Sequence, residues 1–324
     1  MSARGAVACL RVRRAKRALG LQLLSLLLTL FWLSSGNYIM KKTRFPVLRP
    51  LPFKRTFVAI ILCIKSVETW SSVGETSLKT LFLPSLASTI LPAEREIFHV
   101  EVILAFDKGD LFWEQRANRE AVIAGETIPI SFVSVVKERD NHIPFNELAA
   151  VAYSYGADYL VRVNDDTEFV SHSWISHSVR TLSHLSPPLL GVVGPVCDKS
   201  PPNILTHDMV HSTHLEIFST YYPNEFDNWW IDDWISAVYG RNRTIQVPEW
   251  KVKHHINKHG TRYKHNDVLK NKLPALVTSG KKRIVSHLKS LAAQGPQPKT
   301  RVSPCLMRSL RIHEGPLQSF VRCK

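Results

Sequence analysis

The chain has 324 residues and is 44% hydrophobic. That content excludes a disordered chain and leaves room for one large domain or two small ones. The net charge of +15 is unevenly placed: residues 1–17 carry six basic residues and no acid, residues 18–240 carry 17 basic and 24 acidic, and residues 241–324 carry 19 basic and three acidic. A mildly acidic body between basic ends argues against a nucleic-acid partner, which wants basic residues along one folded face. The basic ends can still meet anionic lipid or anionic glycans.

Six basic residues, from Arg4 to Arg17, precede an apolar run that starts at Ala18. Counted to Met40 the run has 23 residues, about 34 Å of helix and enough to span a bilayer. Lys41, Lys42 and Arg44 follow it. This asymmetry predicts a signal anchor with a cytosolic N-terminus and the rest of the chain in the lumen. A cleaved signal peptide is the competing reading, because the strictly apolar part, to Leu33, is 16 residues. Residues 41–54, with Pro46, Pro50 and Pro52, read as a stem. Of the five cysteines, Cys9 falls on the cytosolic side; Cys63, Cys197, Cys305 and Cys323 face an oxidising lumen, and no pair has metal-site spacing. Asn242-Arg243-Thr244 is a glycosylation sequon usable only there.

Beyond the stem, Thr56 to Ile64 is a continuous apolar run rich in branched residues, the mark of a strand buried on both faces. Residues 75–90 carry helical spacing, with Pro84 set to kink or split the helix. A second strand covers Phe98 to Phe106 and ends in Asp107-Lys108-Gly109-Asp110. A helix from Leu111 to about Ala124 follows, with Asp110 as its cap, then a strand from Ile128 to Val136 and a helix from Asn146 to Tyr155. A fourth strand, Tyr159 to Val163, runs into Asn164-Asp165-Asp166-Thr167. This alternation predicts an α/β doubly wound, mostly parallel sheet with helices on both faces and ligands at the carboxyl ends of its strands. A helix at 174–185, a strand Leu190–Val193, a proline-bearing loop, a segment 205–219, an aromatic block from Tyr221 to Tyr239 and a strand Thr244–Val247 complete the body. A His- and Lys-rich segment, 251–265, follows; residues 292–324 lack a lasting apolar period, and 286–324 read as a basic, poorly ordered tail.

Three clusters carry chemistry. Asp165 and Asp166 sit at a strand tip, where adjacent carboxylates can hold Mg2+ or Mn2+; Asn-Asp-Asp is also ordinary turn chemistry. Asp232 and Asp233 lie among Trp229, Trp230 and Trp234 at the start of a helical face. Aromatic faces suit sugar rings, and a carboxylate there can act as a base or simply favour the helix end. His254, His255 and His259 come late in the domain, where an imidazole can complete a metal shell. Arg116 reads as a surface ion pair or a phosphate neighbour.

Strand-terminal Asn164-Asp165-Asp166 resembles the Asp-x-Asp-type motif of nucleotide-sugar glycosyltransferases with the GT-A fold, and the chain is similar to type II membrane enzymes of the Golgi. The resemblance covers roughly residues 55–265. It implies a GT-A-like, Rossmann-like catalytic domain, a sugar-nucleotide donor, a glycan, glycoprotein or glycolipid acceptor, and Mn2+ or Mg2+. It implies Asp166 as metal ligand, with Asn164 or Asp165 near the ribose; Asn at the first place departs from Asp-x-Asp and leaves Asp165 open as a second ligand. Asp107 is implied as a nucleobase contact, with a turn acid as the plain alternative. His255 is implied at the metal, ahead of His254 and His259. In inverting members an acid pair opens a helix on the acceptor side, which implies Asp233, or else Asp232, as general base.

The expected organisation is a cytosolic tail (1–17), an anchor (18–40), a stem (41–54), a luminal catalytic domain (55–285) and the tail (286–324), in a Golgi or endoplasmic-reticulum membrane. The competing function is a non-catalytic luminal carbohydrate-binding protein of the same fold, which would keep the tryptophans without needing Asp166 or the Asp232/Asp233 pair.

Overall fold

The computed structural model describes residues 55–294, apart from 138, 140, 202, 257 and 260–262, and the backbone of 310–312. The expected tail, anchor and stem lie outside the described residues, as do Cys9, Cys305 and Cys323. Among the described residues no helix is long and apolar enough to cross a membrane.

Four strands form as the apolar runs predict: β1 (Thr56–Ile64), β2 (Phe98–Asp107), β3 (Ile130–Val135) and β4 (Tyr159–Arg162). They lie parallel in the order β3-β2-β1-β4. Successive residues of a strand point to opposite faces. Along β1, Ala59, Ile61 and Cys63 therefore join one core, while Val58, Ile60, Leu62 and Ile64 join the other. Each face then needs a cover of helices. The second face is covered by α1 (Leu83–Thr89), α2 (Pro92–Ile97), α3 (Leu111–Glu114), α4 (Arg116–Ile123) and α6 (Trp174–Ser183), with Leu86, Trp113, Val122 and Trp174 in its core. The first is covered by α5 (Phe145–Ser154), α7 (Thr213–Phe218), α8 (Ile231–Val238) and α9 (Leu273–Gln294), through Leu148, Phe218, Trp234 and Ile284.

Local sequence effects are visible in the first helices. Pro84 lies in the first turn of α1, where its missing N–H is harmless, and a single π-helical turn, Leu78–Phe82, precedes it. The Asp110 cap forms, accepting from the Trp113 N–H at 3.1 Å, and the expected helix beyond it is broken at Gln115 into α3 and α4.

The other half of the sheet departs from the expected order. Within segment 205–219, Asp208–His211 forms β7, antiparallel to β4, and Thr213–Phe218 is helical. Strand β6 (Val192–Cys197) pairs antiparallel with β7 and parallel with β8 (Thr244–His254). Strand β8 is eleven residues long, well beyond the expected Thr244–Val247. A register shift after Pro195 accommodates Trp250, which is buried and stacked on Trp174 at 5.0 Å. Past the shift β8 pairs antiparallel with β5 (Thr167–Phe169), setting His254 opposite Thr167. The sheet is thus mixed and Rossmann-like. Its order is β5-β8-β6-β7-β4-β1-β2-β3-β9, where β9 (Leu310–Ile312) is an antiparallel edge strand on β3.

The expected boundary at residue 285 falls inside α9, which continues to Gln294. Gly280 explains the close seating of that helix. A Cβ there would stand 2.5 Å from Val238 Cγ2 and 3.4 Å from Trp234 Cζ2 of α8.

Candidate functional site

All the expected site residues lie at the carboxyl edge of the parallel strands or in the loops beside it. Parallel register links Ile64 to Phe106 and Ile61 to Arg162. Continued by one step, the β1–β2 register sets Lys65 level with Asp107.

Asp107 is buried and takes an ion pair from Lys137 Nζ at 3.0 Å. Its second oxygen, Oδ1, is also buried and takes no hydrogen bond from a described residue. Asp165 is buried beneath the strand end, whereas Asp166 turns outward to a histidine. That histidine is His254: its Nε2 stands 3.0 Å from Asp166 Oδ1 and 3.2 Å from Asn164 Nδ2. His255 points elsewhere, with Nε2 at 2.8 Å from Glu168 Oε2, although its backbone N–H donates to the Asp166 carbonyl at 3.0 Å. Sequence reasoning put His255 first. The antiparallel β5–β8 pairing brings His254 to the motif instead, because adjacent residues of a strand project to opposite sides. His259 is taken up by packing, accepting from the Ser77 N–H at 3.2 Å and meeting Trp70 edge-on at 5.0 Å.

His254 is held from behind. The Asp198 carboxylate accepts its backbone N–H at 3.0 Å, and the buried His207 ring meets it edge-on at 5.0 Å. His207 bonds Thr167 Oγ1 at 2.7 Å, and burial, then the nearby His254 and Arg162, push its pKa well below the ordinary value. It therefore stays neutral. Beside His254 lies a cavity of about 400 Å³ lined by Asp198, Lys199, Lys253, His255, Ile256 and Lys258.

The donor set suits a hard divalent cation: one carboxylate, one imidazole and an adjacent amide. Among the described residues no group of three or more His, Cys, Asp or Glu side chains converges on one point. Asp166 and His254 are the residues that would hold such an ion, and alone they would leave most of its coordination to other ligands.

The second cluster sits at the start of α8. Trp230, in a left-handed conformation (φ 73°), opens the helix, and Asp232 and Asp233 fall in its first turn. Neither aspartate caps it through a side-chain hydrogen bond. Asp232 instead reaches Arg162 Nη2 at 2.9 Å, although its side chain keeps 31% exposure. Desolvation pushes its pKa up, Arg162 pulls it down, Asp208 and Asp233 push it up again, and the balance is about 6. Asp233 is half-buried and makes no hydrogen bond or ion pair among the described residues. The three tryptophans have separate fates. Trp234 is core, and Trp230 donates Nε1 to the Asn266 carbonyl at 2.9 Å beneath Lys270. Trp229 alone offers a face to solvent, at 43% exposure, with His265 edge-on at 4.4 Å. Arg116 pairs with Glu120 at 2.8 Å on the outside of α4, a surface salt bridge.

One part of this region was not singled out from sequence. Arg162, Asp208, Tyr221 and Tyr222 form a buried polar network beneath Asp232. The signal was present: an arginine inside the apolar strand Tyr159-Leu160-Val161-Arg162-Val163 must find a carboxylate.

No protein-family profile matches the chain, and no curated protein does. Solved structures are similar in fold at low superposition. A mannosyltransferase from Pyrobaculum calidifontis, in complex with GDP-Man and Mn2+, has a TM-score of 0.44 at 15% identity, covering 77% of this chain and 79% of that one. GalNAc-T7 with UDP, GalNAc and Mn2+ has a TM-score of 0.44 at 10% identity, covering 62% of this chain and 44% of that one. Glucosyl-3-phosphoglycerate synthase from Mycobacterium tuberculosis has a TM-score of 0.39 at 13% identity, covering 72% of this chain and 78% of that one. At these values the likeness transfers no residue role to this chain.

Proposed function

We propose that this chain is a metal-dependent glycosyltransferase of GT-A-like fold, which moves a sugar from a nucleotide-sugar donor to a hydroxyl of a glycan, glycoprotein or glycolipid acceptor. One observation carries the reading. At a single strand edge, Asp166 and His254 lie 3.0 Å apart beside β4, and the same strand reaches across through Arg162 to the acid pair that opens α8.

In this reading Asp107, Asn164 and Asp165 receive the base and ribose of the donor. Asp166 and His254 hold Mn2+ or Mg2+, which when bound neutralises charge on a departing diphosphate. Lys199, Lys253 and Lys258 line the cavity beside His254, where cationic side chains favour the phosphates. An acceptor hydroxyl must lose its proton as it attacks the anomeric carbon, and a carboxylate of α8 supplies the base. Asp233 suits that task because nothing else among the described residues engages it. Trp229 offers the apolar face on which an acceptor ring can rest. Inversion at the anomeric carbon follows from a single base on the acceptor side. The basic block and apolar run of the first 40 residues support a single-pass anchor with this domain in the Golgi or endoplasmic-reticulum lumen.

The test uses the full chain and a panel of sugar nucleotides, each with and without Mn2+. At least one should raise the melting temperature only with the metal, and Asp166→Ala should abolish both that shift and transfer while keeping a native melting transition. Full transfer by Asp166→Ala would end the metal reading. Near-normal turnover by both Asp232→Asn and Asp233→Asn would end the base reading and favour a retaining mechanism; no transfer from any donor by the unaltered chain would favour a binding protein.

A further inference from the structure

Arg162 is the last residue of β4, two places before Asn164, and its exposure is 2%. A buried cation is tolerated only where carboxylates and hydrogen bonds replace its water. Asp208 on β7, itself fully buried, provides the first partner. Arg162 Nε donates to Asp208 Oδ2 at 2.9 Å and Nη2 donates to the same oxygen. The Tyr221 hydroxyl donates to Asp208 Oδ1 at 2.6 Å, and the Tyr222 hydroxyl lies 3.3 Å from Oδ2. The Phe145 and Tyr222 rings flank the guanidinium at 5.7 and 5.6 Å. That pair would satisfy the charge within the sheet. Arg162 nevertheless also holds Asp232, in the first turn of α8 and one residue before Asp233.

We infer that Arg162 is a positioning residue: shared between Asp208 and Asp232, it ties the first turn of α8 to the strand that carries Asn164–Asp166, and so sets Asp233 at its working distance from the donor. The inference rests on the transferase reading above. Asp232 is engaged by this tie and Asp233 is not, which divides the labour between two adjacent acids whose side chains point about 100° apart on a helix. A displacement of about 1 Å at a reacting group costs roughly 10²-fold in rate. A loosened tie therefore lowers turnover without touching the donor site.

The experiment compares Arg162→Lys, Asp232→Asn, Asp233→Asn, Arg162→Lys/Asp232→Asn and Arg162→Lys/Asp233→Asn in the full chain. Asp232→Asn leaves the Arg162–Asp208 pair in place, so it serves even if the arginine variant folds poorly. Amide hydrogen exchange in residues 231–238 should quicken in Asp232→Asn while β4 stays protected. The affinity for nucleoside diphosphate with Mn2+ should stay within about threefold in every variant. Arg162→Lys and Asp232→Asn should each lose roughly tenfold or more in kcat, and their double variant should lose no more than the worse single, because both cut one tie. Arg162→Lys/Asp233→Asn should likewise lose no more than the worse single, because the tie acts through the base at Asp233. The groups facing Asp232 are Arg162, Asp208, Tyr222 and Asp233, and the tie needs Asp232 ionised. The acidic limb that Asp232 gives to the kcat profile should then vanish in Asp232→Asn, a change that a purely structural role would not cause. Unchanged exchange and turnover in Asp232→Asn, or multiplied losses in Arg162→Lys/Asp232→Asn, would overturn the inference. Normal turnover in Asp233→Asn would instead overturn the base assignment beneath it.

Discussion

Asp166 and His254 are 88 residues apart in the chain and 3.0 Å apart in space. What joins them is a single ladder, the antiparallel pairing of Thr167 with His254. This gives the two adjacent histidines different work. His254→Ala should weaken Mn2+-dependent nucleotide binding by roughly tenfold or more, on the scale of lost metal-site groups. His255→Ala, which frees only Glu168, should leave that binding near normal. Isothermal titration of nucleoside diphosphate at fixed Mn2+ decides between them; a larger loss in His255→Ala would reverse the assignment. The buried acids follow the same logic. Asp107 and Asp165 are legible in the sequence as strand-end acids, but nothing in their spacing says that Lys137 would take one oxygen of Asp107 and leave the other buried without a hydrogen bond from a described residue.

Helices α7, α8 and α9 form a unit with its own chemistry. His214 of α7 is fully enclosed: Nε2 faces the Tyr221 carbonyl at 2.9 Å and Nδ1 faces the Tyr239 hydroxyl at 2.8 Å. A carbonyl only accepts, so Nε2 carries the hydrogen and Nδ1 accepts from Tyr239. Burial lowers the His214 pKa to about 4, below the ordinary 6.5. Between these values the unfolded chain takes up a proton and the folded chain does not. The contribution to stability is therefore present above pH 6.5 and is lost as the pH falls towards 4. Thermal melts from pH 7.5 to 4 should show that decline, and His214→Gln should flatten it. Gly280 supplies a test of packing in the same unit. The Cβ of Gly280→Ala meets Val238 at 2.5 Å, so the variant should lose about 1–3 kcal/mol by overpacking in a denaturant titration. Metal-dependent nucleotide binding should persist in what remains folded, since α9 holds no donor contact. A neutral Gly280→Ala would mean that α9 sits further from α8 than the structure has it.

On the scale of the whole molecule, one edge of one mixed sheet gathers the proposed site from five stretches of chain: Asp107, Asn164–Asp166, Asp198–Lys199, Asp232–Asp233 and His254–Lys258. The proposed luminal setting belongs to this scale as well. Asn242 is exposed in the turn that precedes β8, open to modification. In cells of the secretory pathway an endoglycosidase should shift the mobility of the chain, and Asn242→Gln should remove the shift. Protease added to sealed microsomes should leave the domain from residue 55 onward intact. Digestion without detergent would place it on the cytosolic side.

The sequence by itself determined the half of the sheet whose strands are buried on both faces. Thr56–Ile64, Phe98–Phe106 and Tyr159–Val163 have one acceptable environment, between two layers of helices, and the acids at their ends must lie along one edge. Only the tertiary structure decided the other half. The short strand Asp208–His211 is too brief for a period to show, and Lys251 and Lys253 alternate with buried Val252 in a stretch that reads as a basic loop. Such strands exist because a neighbour offers an unpaired ladder, and their register follows from that neighbour rather than from their own residues. The choice of His254 over His255 and the hold of Arg162 on Asp232 both depend on that register. They were therefore settled by pairings made far along the chain from the motif they serve.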